Sequence, residues 1–89
     1  MPFAQPGRPF TRSEVESLRP DLIGVYGLFR ADAWVYIGYG NIKARLLAHL
    51  EGDDGRIARQ QPTHWTVEIT GLDAARARKL IAELAPICT

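Results

Sequence analysis

Two apolar runs, residues 22–29 and 34–39, are separated only by Arg30-Ala31-Asp32-Ala33 and are rich in β-branched and aromatic side chains. That pattern predicts the two strands of a hairpin. With the turn centred on Ala31, Tyr26 is expected directly opposite Tyr36, and the two share a face because side chains alternate with period two. Gly24 and Gly38 are expected on that face, keeping it open, while Val25, Phe29, Val35 and Ile37 take the packed face. A one-residue change in the turn would undo this pairing. Downstream the period changes. Ile42, Leu46 and Leu50, with Leu47 at the edge, form a stripe that predicts a helix over 42–51, with Asn41 as N-cap. Arg45 and His49 stand one turn apart beside that stripe.

The rest of the chain follows the same logic. Gly52-Asp53-Asp54-Gly55 ends the helix, and a short helical stretch is expected over 56–60. Trp65, Val67 and Ile69 alternate with Thr66, Glu68 and Thr70 and predict a third strand, which Gly71 closes. Asp73 is expected to cap a last helix that begins at Ala74, buries Ala77, Leu80, Ile81 and Leu84, and stops before Pro86. Ahead of the hairpin, Thr11 and Glu14 fit a capping box for a helix that runs to about Leu18 and halts before Pro20. Pro2, Pro6 and Pro9 predict an irregular arm over 1–10. The expectation is one α/β (α+β) domain over 11–89, a three-stranded antiparallel sheet flanked by helices.

Composition narrows the chemistry. The net charge is only +1, so any contact with a polyanion must come from a local cluster among the eleven Lys and Arg residues. A lone cysteine, Cys88, excludes an internal disulfide, and no Cys/His spacing suggests zinc. The proline-rich start lacks the apolar segment of a signal peptide, and no run is long enough to span a bilayer. The expected location is the cytoplasm, with no membrane partner.

Gly24-Val25-Tyr26 and Tyr36-Ile37-Gly38 resemble the paired signatures that name the GIY-YIG nuclease family. Asn41-Ile42-Lys43-Ala44-Arg45-Leu46-Leu47-Ala48-His49-Leu50 is similar to that family's N-L-x-x-R-L-x-x-H-L helix. Trp65-Thr66-Val67 resembles its third strand, and Leu80-Ile81 ahead of Pro86 its closing helix. The resemblance covers 22–89 and implies a small antiparallel sheet flanked by helices, cleaving DNA phosphodiesters with one divalent metal. It implies that Tyr26 or Tyr36 deprotonates or positions the attacking water. Arg45 would contact the scissile phosphate, His49 would bond the phosphate or order the water, and Lys43 with Arg45 would hold the nucleic-acid backbone. Mg2+ or Mn2+ would be the cofactor of an active enzyme.

The chain departs from the family where the metal is held. Ala77 stands at the position of the metal-binding glutamate, and a methyl group cannot ligate magnesium. Thr89 stands where the family has an asparagine. Asp73, one turn before Ala77, is the best substitute carboxylate, although a helix cap is its commoner role. No residue is assigned as a metal ligand. Two functional classes follow: a GIY-YIG-like endonuclease directed at DNA with impaired catalysis, or a non-catalytic nucleic-acid-binding or protein-interaction module on the same fold.

Overall fold

In the computed structural model, strands β2 (Ile23–Arg30) and β3 (Ala33–Asn41) form the expected hairpin, turned at Ala31 with φ 53°. Strand β4 (His64–Ile69) pairs antiparallel with the other side of β2. A two-residue strand, β1 (Arg8–Pro9), pairs in turn with β4, so the order is β1-β4-β2-β3. The sheet therefore has four strands rather than the expected three, and the extra one lies in the arm read as irregular. An edge tolerates Pro9, which has no N–H to donate. The indole of Trp65 donates to the Pro9 carbonyl at 2.9 Å, and the Arg8 guanidinium lies 4.8 Å over the Trp65 ring. Phe3 and residues 6–88 are described; Met1, Pro2, Ala4 and Gln5 of the expected arm, and Thr89, lie outside them.

Helix α1 (Arg12–Glu16) begins where Thr11 Oγ1 accepts from the Glu14 N–H at 3.4 Å. The Glu14 carboxylate pairs with Arg8 at 2.8 Å. Helix α2 (Ile42–Leu50) is capped by Asn41, whose Oδ1 accepts from the Ala44 N–H at 3.0 Å. Helix α3 is Gly55–Gln60 and α4 is Asp73–Leu84. Asp73 is not the cap of α4: that position is Leu72, and Asp73 sits in the first turn, accepting from the Ala74 N–H at 3.0 Å.

The sheet separates two apolar clusters. On one face Tyr26, Leu28, Trp65 and Val67 pack with Val15, Ile42, Leu46 and Ile57 from α1, α2 and α3. On the other, Val25 and Ile37 pack with Phe3 and with Ala77 and Leu80 of α4. The hairpin register differs from the expected one. Tyr26 pairs with Gly38, and Tyr36 pairs with Leu28, so the tyrosines share a face as diagonal neighbours with ring centroids 6.2 Å apart. Two one-residue steps make the offset: Arg30 pairs with Ala33, which centres the turn between Ala31 and Asp32, and a bulge pairs Leu28 with Tyr36 but Phe29 with Trp34, leaving Val35 unpaired with β2. Val35 consequently joins the tyrosine-face cluster, opposite to its expected side, and Trp34 packs on the α4 side. Among the described residues no helix is long and apolar enough to cross a membrane.

Candidate functional site

The two motif glycines are places of close approach. A β-carbon at Gly24 would overlap the Glu68 carbonyl oxygen and stand 2.9 Å from Ile69 Cα, so Gly24 lets the β4 backbone close onto β2. A β-carbon at Gly38 would collide with the Tyr26 hydroxyl and lie 2.8 Å from the Tyr36 ring. Instead of keeping the tyrosine face open, Gly38 makes the hollow that the end of Tyr26 fills.

That end is tied to a chain of polar groups. The Tyr26 hydroxyl lies 2.7 Å from His49 Nε2, and His49 Nδ1 lies 3.1 Å from Asp53 Oδ1. Gly52, in the left-handed region at φ 80°, turns the chain after α2, and the Asp53 N–H bonds the Ala48 carbonyl at 3.2 Å. This helix-terminating turn swings the Asp53 carboxylate back under His49. An ionised carboxylate only accepts, so Nδ1 carries the imidazole proton and Nε2 accepts from the Tyr26 O–H. Burial pushes the His49 pKa down, against the pull of Asp53, and the ring is neutral in this arrangement.

Tyr26 is fully buried, and desolvation raises its pKa well above the ordinary tyrosine value despite the nearby Arg45 guanidinium. Tyr26 is therefore a neutral hydroxyl whose proton is committed to His49, unsuited to act as a base near neutral pH. Arg45 projects from the exposed side of α2, and proximity to the Tyr26 hydroxyl raises its own pKa. It forms no ion pair among the described residues. Half-buried Tyr36 sets its ring edge-on to His49, with centroids 5.3 Å apart.

These groups surround a pocket of about 390 Å³ lined by Tyr26, Tyr36, Gly38, Tyr39, Arg45 and Ile81 among others. The structure thus brings four of the expected site residues together, Tyr26, Tyr36, Arg45 and His49. Lys43 is not among them. It lies on another side of α2, where its Nζ donates to the Glu16 carbonyl at 3.1 Å and it lines a separate hollow with Pro20 and Leu47. Nor does His49 present a nitrogen to a phosphate, since both are already bonded within the fold. Asp53 was missed by sequence reasoning; the available signal was its i, i+4 spacing from His49 across a glycine-terminated helix end.

The residues present do not fit a divalent-metal site of the family type. Ala77 is buried in the α4 cluster, and Asp73 does not line the pocket. Asp53, the carboxylate that bears electrostatically on Tyr26 and Arg45, is engaged by His49. Among the described residues no three His, Cys, Asp or Glu side chains converge. No protein-family model, curated protein or solved structure matches the chain.

Proposed function

We propose that this domain is a GIY-YIG-like module directed at DNA, which binds phosphodiesters in the β3 pocket and hydrolyses them weakly or not at all. The observation that carries the reading is the convergence of Arg45 and Tyr36 on one pocket, backed by the buried Tyr26–His49–Asp53 chain. In this reading Arg45 supplies the planar fork of donors that suits a phosphate. Tyr36 directs its hydroxyl at a phosphate oxygen or at a water beside it. Tyr26 and His49 hold the wall against which Arg45 rests, and Asp53 fixes the imidazole tautomer.

Weak turnover follows from the same geometry. The buried tyrosine is a poor base, and among the described residues Arg45 is the one positive group lining the pocket to offset the charge that develops on phosphate during attack. Supercoiled plasmid incubated with Mg2+ or Mn2+ should therefore show no nicking above background. Vigorous cleavage that persists in both Tyr36→Phe and Arg45→Ala would overturn this site. Cleavage that is lost in Asp53→Ala or Asp73→Ala would instead establish a working nuclease with a relocated carboxylate.

A further inference from the structure

The outer edge of β3 is closed over only part of its length. The C-terminal segment lies against it at one end, with the Ile87 N–H on the Trp34 carbonyl at 3.0 Å and the Cys88 N–H on the Val35 carbonyl at 2.8 Å. Beyond Val35 the edge runs past Tyr36, Gly38 and Tyr39, along the Arg45 pocket. A second pocket, of about 310 Å³, lies against the C-terminal segment, lined by Arg56, Arg59, Gln60, Ile87 and Cys88. Tyr36 and Cys88 link the two hollows: each lines one of them, Arg56 is within electrostatic reach of both, and Tyr36 follows the residue that Cys88 bonds. Helices α2 and α3 both pack against β3 and against each other.

From this arrangement we propose that the DNA path does not end at Arg45 but continues along β3 onto α3, where Arg56 and Arg59 bind further phosphates of the same duplex. The proposal rests on the DNA-directed reading of the Arg45 pocket. Arg56 and Arg59 stand three residues apart on an exposed helix face, so their guanidinium groups project to the same side. Arg59 Nε is held by the Gly55 carbonyl at 3.2 Å, which orients the group. Among the described residues two carboxylates, Asp53 and Asp54, lie on the track. Asp53 is occupied by His49, and Asp54 serves as the α3 cap while pairing with Arg56 at 3.4 Å. The Asp54–Arg56 pair is solvent-exposed, so a phosphate competes with Asp54 for the arginine at little cost. A row of positive groups served by two helices suits a repeating phosphate backbone, and it supplies the local basic cluster that a net charge of +1 otherwise lacks.

The test is binding of a fluorescein-labelled 20-base-pair duplex, followed by anisotropy across a salt series. Wild type is compared with Arg45→Ala, with Arg56→Ala/Arg59→Ala, with Arg56→Lys/Arg59→Lys, and with Arg78→Ala on the exposed side of α4. The double alanine variant should lose about two units of the log–log salt slope, close to 0.9 per phosphate contact. The double lysine variant should keep the slope, which separates charge from folding, and Arg78→Ala should match wild type. A double alanine variant with an unchanged slope, beside an Arg45→Ala variant whose slope falls, would overturn the α3 extension and leave the Arg45 reading standing. No binding by wild type would remove that reading and the extension with it.

Discussion

Gly24→Ala should unfold much of this domain, lowering stability by about 3 kcal/mol or more and the melting temperature by roughly 15 °C or more. The added methyl would meet the Glu68 carbonyl and the Ile69 backbone. A flexible side chain could swing away from such a collision; a paired backbone cannot, because β2 is held by β4 on one side and β3 on the other. Relief requires the two strands to part where Tyr26 and Val67 form neighbouring core positions. For a domain of this size that is a large share of a total stability of order 4–13 kcal/mol. Gly71→Ala is the matched control, since a β-carbon there meets nothing within 4 Å, and its melting temperature should stay near that of wild type. A Gly24→Ala protein that melts with the control would show that β2 and β4 do not approach this closely.

Ala77→Glu should also be strongly destabilising, by about 3 kcal/mol, because it forces extra volume and a carboxylate into a packed apolar cluster. Ala77 is 1% exposed and packs with Phe3, Val25, Ile37 and Leu80. That cluster borders the Arg45 pocket through Ile37 and Ile81, so a glutamate at this position extends toward the pocket wall. The expected result is a variant with a sharply lowered melting temperature that Mn2+ partly restores, by about 1.4 kcal/mol at ten times the dissociation constant, while wild type does not respond. Calorimetry with and without Mn2+ on both proteins decides it. A folded Ala77→Glu protein indifferent to metal would show that position 77 does not address the pocket.

Features set by local chemistry were legible before the structure was known. Asn41 was readable as a cap because a short polar side chain preceded a four-residue apolar stripe, and its oxygen does accept the Ala44 N–H. The hairpin and the burial of Ala77 followed from periodicity alone. The register did not. A turn centred between Ala31 and Asp32 and one bulged residue, Val35, together shift the tyrosines from opposite to diagonal, and the C-terminal segment bonds Trp34 and Val35 at that bulge from outside the sheet. Strand β1 escaped notice because prolines argue against pairing, and only its edge position and the Trp65 indole make the pairing workable. At the site, spacing placed Arg45 and His49 on one side of α2 but could not show that His49 turns inward. Its role as a buried link depends on Gly52 bending Asp53 back beneath it, a three-dimensional event written in residues that otherwise read as a loop.

The central claim is that the Arg45 pocket holds a DNA phosphate. Its most direct test is the salt dependence of duplex binding by wild type and by Arg45→Ala, with folding of the variant checked by circular dichroism. The account predicts weaker binding by Arg45→Ala and a log–log slope smaller by about one unit, the signature of one lost phosphate contact. An unchanged slope in the folded variant would contradict it.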